Sequence, residues 1–238
     1  MNDMQLDILE RFLVLAHSPK KSYNLLGDVQ VNYGLVGAMI IQMVEDDIIT
    51  LKGKKLVVVS KEPIENPFFR ELRDLMLKKK KHKSIVFWLK VMVARSSYKL
   101  RKHLRRSLTD KEIYRHERRK FLWIFPYDKY YLKNIELRNN LIFTLKEELK
   151  GDSKSIGDES LALLGLLKAC TAMRILTHDR AERKLLRQRI EDVIAGLPKD
   201  TTIYKTVKEV KRGVNSSISM AVIAATSAAN ASFYGSHY

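Results

Sequence analysis

Apolar residues in the first third of the chain fall mostly at helical spacing. Leu6, Leu9, Leu13 and Ala16 share one face and stop at Ser18-Pro19, which predicts a short first helix. Asn32 and Gly34 open a second pattern, with Leu35, Met39, Ile40 and Met43 on one side and Asp46-Asp47 at its end. The period then changes. Ile48 to Leu51 and Leu56 to Val59 are β-branched runs on either side of Lys52-Gly53-Lys54-Lys55, the signature of a hairpin. Asn66-Pro67 starts another helix, and from Ile85 to about Leu108 the 3.6-residue period returns, with Leu100, Leu104 and Leu108 on one stripe and Arg101 and Arg105 on its neighbour. Phe121 to Phe125 is a short continuous apolar run. Pro126-Tyr127-Asp128 reads as a turn and Tyr130 to Leu132 as a returning strand, which would make a second hairpin. Four helices follow: Ile135 to Leu149, Glu159 to Leu176, Arg180 to Ile194 and Thr202 to Ala231. The expected fold is mainly α, a helical bundle with one or two β-hairpins, in a single domain over 1–238 with a flexible tail at 231–238.

Composition agrees with a sizeable core, at 238 residues, 45% hydrophobic and five prolines. Charge adds a direction. The formal net charge is +17, and Lys78 to Lys120 holds 17 Lys/Arg against three acids, Asp110, Glu112 and Glu117. Phe87, Trp88, Tyr98, Phe121 and Trp123 lie within or just beyond this block, so a field that attracts a polyanion is combined with groups that suit a less polar environment. Met1 to Leu9 carries two acids and no base, unlike a secretory or transit peptide, and Ile218 to Ala231 is interrupted by Ser219, Thr226, Ser227 and Asn230. The expectation is a cytoplasmic protein whose membrane contact, if any, is peripheral. The single Cys170 excludes an internal disulfide and is expected to be a core thiol.

Several segments resemble successive blocks of one family. They are Tyr33-Gly34-Leu35-Val36-Gly37-Ala38-Met39-Ile40-Ile41, the helix Leu100-Arg101-Lys102-His103-Leu104, the run Glu117 to Phe125, and Asp158-Glu159-Ser160-Leu161-Ala162-Leu163-Leu164. In this order they resemble the Golgi phosphoprotein 3 family over about residues 5 to 230. The resemblance implies a central helical bundle wrapped by amphipathic helices, a projecting hairpin, and peripheral binding to membranes carrying phosphatidylinositol 4-phosphate. Eukaryotic members hold that headgroup with a Trp, an Arg between the two glycines of the first block, and two Arg on the cationic helix. The corresponding places here are near Gly27, Val36, Tyr98 and Arg101, of which only Arg101 keeps the residue. The run Phe121-Leu122-Trp123-Ile124-Phe125 occupies the place of the family's apolar hairpin strand, associated with membrane insertion and self-assembly. The N-terminal arginine-bearing arm of eukaryotic members is missing, so Golgi sorting is not carried over.

The candidate lipid-binding residues are therefore Arg101, Lys102, Arg105 and Arg106, with Phe121, Leu122, Trp123, Ile124 and Phe125 as a membrane-contacting hairpin. A buried core strand is the competing reading of the last five. Anionic membrane lipids are the expected partners, with a homo-oligomer through the hairpin as a further possibility. The rival class is a nucleic-acid-binding protein, either RNA-associated or a winged helix over residues 6 to 59. A winged helix would have Leu35 to Asp47 as its recognition helix, yet that segment has no Lys or Arg and ends in Glu45-Asp46-Asp47, so DNA is not expected. No enzyme is expected either. The six histidines have no metal-ligand spacing, Gly34-Leu35-Val36-Gly37 lacks the flanks of a phosphate loop, and no cofactor is implied.

Overall fold

The computed structural model describes residues 6–122, 124–151, 156–196 and 201–234, with side chains for all of these except Phe121 and residues 225–234. Among them are eight α-helices and two antiparallel hairpins. In chain order these are α1 (Ile8–Ala16), α2 (Asp28–Glu45), β1 (Ile49–Lys52), β2 (Lys55–Val58), α3 (Pro67–Leu77) and α4 (Ile85–Asp110). They continue with β3 (Tyr114–Phe121), β4 (Phe125–Leu132), α5 (Ile135–Lys150), α6 (Asp158–Ala169), α7 (Arg180–Gly196) and α8 (Thr202–Tyr234). The mainly α fold is as expected from the periodicity.

At the centre is α2, packed on α1, α4, α6 and α8. Its residues Leu35 to Ile41 are all buried, so the helix has no polar face through this stretch. Two glycines let the neighbours approach. A Cβ on Gly34 would overlap the Phe12 ring of α1 and lie 3.1 Å from the Cys170 sulfur; one on Gly37 would lie 2.9 Å from Leu166, 3.0 Å from Val210 and 3.1 Å from Val214. The winged-helix alternative fails on this placement, because its recognition helix is the interior of the bundle.

Local chemistry sets most helix starts. Asp7 and Glu10 form a capping box on α1, Asn66 with Pro67 opens α3, and Ser84 accepts from the Phe87 amide to open α4. Buried Glu10 also accepts from Ser107 Oγ at 2.7 Å and Lys111 Nζ at 2.6 Å, which latches α1 to the far end of α4. The pair is held by several hydrogen bonds, the arrangement in which a buried carboxylate is tolerated.

Four boundaries differ from the sequence reading. Helix α2 begins at Asp28, four residues before Asn32, because Gly27 is already its N-cap. The helix expected over Glu159 to Leu176 ends at Ala169. Thr171 takes φ 55°, and a single 3-10 turn, Met173–Ile175, follows. Continuous apolar residues on both sides of that break hide it from periodicity. The third difference is at the second hairpin. Strand β3 pairs with β4 from Tyr114↔Leu132 to Phe121↔Phe125, so Pro126, Tyr127 and Asp128 lie inside a strand. The apolar run expected to be a strand closes the hairpin, with Leu122 at φ 48°. Eight residues per strand give a ribbon about 26 Å long. Among its described side chains only those of the base, Tyr114, Tyr130 and Leu132, are buried, and its outer half projects. Helix α8 continues to Tyr234, past the expected end at Ala231; residues 235–238, like Trp123, lie outside the described residues.

Candidate functional site

The angle between α4 and the base of the β3–β4 hairpin gathers the cationic residues. The two-residue period of the strands puts Tyr114, His116, Arg118 and Lys120 of β3 on the same side as Pro126, Asp128, Tyr130 and Leu132 of β4. His116, Arg118, Pro126, Asp128 and Tyr130 of this set meet Lys102, Arg106 and Thr109 of α4 around a recess of about 490 Å³. A second, smaller recess of about 260 Å³ is lined by Tyr98, Arg101, Lys102, Arg105, Tyr127 and Tyr130. Lys102, Pro126, Asp128 and Tyr130 border both.

The four α4 residues expected to bind lipid divide into two pairs. Lys102 and Arg106 are exposed on the rims. Arg101, its side chain only 12% exposed, donates from Nη1 to Asp28 Oδ1 at 2.5 Å and so ties α4 to the first turn of α2. The guanidinium of Arg105 lies 5.1 Å from the Tyr130 ring centre, its Nε buried and without a hydrogen-bond partner among the described residues. Burial first, and then the charge of Arg101, make Arg105 easier to deprotonate than a free arginine. Arg105 is thus a cation at the floor of the smaller recess with donor capacity to spare.

Behind the floor, Tyr130 is fixed from both sides. Its ring stacks on His116 at 4.8 Å, and its carbonyl lies 3.1 Å from Nε2 of the buried His17. Burial lowers the His17 proton affinity, and the ring holds the Ser18 carbonyl at 2.8 Å through Nδ1. His116 Nε2 meets Asp128 Oδ1 at 2.8 Å, and this hydrogen bond holds the Asp128 carboxyl below its usual range. On the opposite face of the ribbon Glu117 bridges Arg115 and Arg119, while exposed Arg118 and Lys120 of outer β3 form no ion pair among the described residues.

The hairpin's end is apolar and open: Leu122 is 65% exposed, Ile124 73% and Phe125 62%. For these three residues the buried-strand reading is incorrect. The turn has no core to face, because the ribbon carries it away from the bundle. Leu122 adopts a left-handed conformation that costs a non-glycine residue roughly 1–2 kcal/mol.

Of the positions carried over from the resemblance, Gly27 caps α2 and Tyr98 stands exposed at the mouth of the smaller recess. Val36 is 1% exposed in the core and supplies nothing to either recess. Sequence reasoning missed Asp28, His116, Tyr127 and Tyr130. The tyrosines were visible as a cluster in β4, but their alternation has meaning only once the strand register is known.

Among the described residues no group of three His, Cys, Asp or Glu is placed to hold a metal ion, and no helix is long and apolar enough to cross a membrane. Cys170 is buried, its thiol pushed upward in pKa by burial and directed at the Gln30 carbonyl at 3.4 Å. No curated protein matches the chain. The family model for Golgi phosphoprotein 3 (GPP34) matches residues 8–212, a span that contains α1 to α7, both hairpins and each resembling block. The chain therefore belongs to the Golgi phosphoprotein 3 family.

Proposed function

We propose that this protein is a peripheral membrane protein that binds anionic phospholipid headgroups, phosphatidylinositol 4-phosphate among them, on the cytoplasmic face of a membrane. The observation that carries the reading is the apolar turn Leu122, Ile124 and Phe125, exposed at the end of a ribbon whose stem and base are cationic. Such a turn favours the acyl boundary while Arg118, Arg119 and Lys120 beside it favour the headgroup layer. A nucleic acid would use the cations and leave the apolar turn in water.

The energies are of a suitable size. Each Lys or Arg near an anionic surface contributes about 1 kcal/mol, so Lys102, Arg106, Arg118 and Lys120 together supply about 4 kcal/mol. Partial burial of three apolar side chains, at about 1.5–3 kcal/mol each when complete, adds several more. That supports reversible attachment without a covalent anchor. Self-association through the exposed turn in the membrane-bound state is part of the same proposal.

Sedimentation with phosphatidylcholine vesicles containing phosphatidylinositol 4-phosphate tests it. Wild type should pellet with these vesicles and stay in solution with pure phosphatidylcholine. Replacing the exposed Lys102, Arg106 and Arg118 by Glu should remove binding with the melting temperature unchanged. Undiminished binding by this variant would place the contact elsewhere. Arg101 and Arg105 are unsuitable for charge reversal, because the Asp28 and Tyr130 contacts depend on them.

A further inference from the structure

A second cationic recess lies between the 3-10 turn and α7, outside the α4–hairpin site. It has a volume of about 800 Å³ and is lined by Arg174, Arg180, Arg183, Lys184 and Arg187, with Asp179 as the one acid. Arg174, Arg187 and Thr171 also border an adjoining recess of about 610 Å³, whose other walls include Leu25, Leu26, Gln30, Ile175 and His178.

The cations are placed at a cost to the fold. Arg180, Arg183, Lys184 and Arg187 stand at i, i+3, i+4 and i+7 on α7, the spacing that brings side chains onto one face, and like charges there repel. Arg180 and Arg183 also stand in the first turn, where the helix dipole is positive and disfavours cations. None of the five forms an ion pair among the described residues. The nearby acids are engaged: Asp179 Oδ1 accepts from the Glu182 amide, Glu182 pairs with Lys146, and Glu191 pairs with Lys168 and Lys211. Arg183 donates to the His178 carbonyl at 2.6 Å, which holds the loop against the helix. A multiply charged anion in the recess would relieve both the mutual repulsion and the unfavourable dipole.

We infer that the recess formed by Arg174, Arg180, Arg183, Lys184 and Arg187 is a second anion site, which takes a phosphorylated polyol. The volume suits a sugar-sized ligand, Arg guanidinium groups suit phosphate oxygens, and the apolar wall of Leu25, Leu26 and Ile175 suits a carbon skeleton attached to the phosphate. The same chemistry is offered by a lipid headgroup and by a free inositol phosphate. The site does not depend on the membrane-binding reading.

Calorimetric titration with soluble inositol 1,4-bisphosphate in phosphate-free, low-salt buffer tests the inference. Wild type should bind it. Arg180→Gln with Lys184→Gln, both at exposed positions, should weaken binding in this recess at least tenfold, while Lys102→Ala with Arg106→Ala should leave it in place. Without ligand the Gln variant should melt no lower than wild type, because repulsion has been removed, and the rise in melting temperature that the bisphosphate gives should be smaller in it than in wild type. Unchanged affinity and unchanged ligand-induced stabilisation in the Gln variant overturn the inference, as does complete loss of binding in the Lys102 and Arg106 variant. Vesicles of phosphatidylcholine with phosphatidylinositol 4-phosphate then separate the sources. Weaker vesicle binding by the Gln variant assigns the site to a lipid headgroup, and unaltered vesicle binding with lost bisphosphate binding assigns it to a soluble ligand. Wild type that ignores vesicles yet binds the bisphosphate through α7 would sink the membrane reading and leave this site standing.

Discussion

At the scale of single residues, Gly34 shows how a small side chain sets the centre of the molecule. Alanine is the better helix former by about 1 kcal/mol, so on propensity alone Gly34→Ala would stabilise α2. The added methyl instead meets the Phe12 ring and the Cys170 sulfur, and overpacking of this kind costs about 1–3 kcal/mol. Urea denaturation should show Gly34→Ala less stable than wild type; equal or greater stability would mean that α1 moves away freely. Glu45 gives a pH-dependent counterpart. Burial, with Glu159, Asp158 and Asp46 nearby, raises its pKa to about 7 from an ordinary value of 4.5. A raised carboxyl pKa means that the folded state holds the proton more tightly than the unfolded one, so its contribution to stability is complete below about pH 4.5 and is lost as pH rises through 7. Glu45→Gln removes the charge permanently. The variant should gain melting temperature over wild type at pH 8 and show little gain at pH 4.5, and a gain independent of pH would rule out the ionisation as its cause.

Among the elements, the β3–β4 hairpin separates packing from exposure along one ribbon. Its base is part of the core through Tyr114, Tyr130 and Leu132, and its end is exposed. Substitutions at the two ends should therefore behave differently. Changing Leu122, Ile124 and Phe125 together to Ser removes little buried area, so the melting temperature should stay within about 2 °C of wild type, in line with the small effect of surface substitutions. The same triple variant should bind anionic vesicles at least tenfold more weakly, a loss of about 1.4 kcal/mol or more. A triple variant that binds vesicles normally would mean that the turn stays in water and the charges alone hold the membrane.

For the whole molecule, the distribution of charge matters more than its total. Of the four headgroup positions that the family resemblance implies, this chain has a cation only at Arg101, whose Nη1 is engaged by Asp28. A pocket selective for one phosphoinositide needs several donors converging on its phosphate. We therefore expect phosphatidylinositol 4-phosphate to be preferred less than about tenfold over other anionic lipids at matched charge, a difference under about 1.4 kcal/mol, with binding that weakens steeply as salt rises. Tyr98 is exposed at the mouth of the smaller recess, so Tyr98→Arg adds a donor without disturbing the core. That substitution should raise the preference in a competition sedimentation assay. A hundredfold preference in wild type would show that other groups, Arg105 foremost, already form a selective pocket.

The chain's own periodicity determined the helical class, the first hairpin, the cationic stripe of α4 and the apolar stripe Leu100, Leu104 and Leu108 that buries it, because each follows from spacing within one element. The cationic surplus of residues 78–120 was equally legible, since charge adds without reference to fold. Pairings between distant segments were decided only in three dimensions. Asp28 was one acid among many until the fold placed it on Arg101, 73 residues away in sequence. Arg105 looked like its solvent-facing neighbours until Tyr130 covered it. The run from Phe121 to Phe125 has the composition of a core strand, yet Leu122, Ile124 and Phe125 are exposed because the register Phe121↔Phe125 puts them at the end of a projecting ribbon. The cations of α7 lie at helical spacing in the sequence, yet only the left-handed Thr171 and the 3-10 turn, hidden inside an apolar run, bend Arg174 round to complete the recess. Spacing fixes which residues share a face; the tertiary contacts fix what that face meets, and the chemistry of both recesses depends on the second.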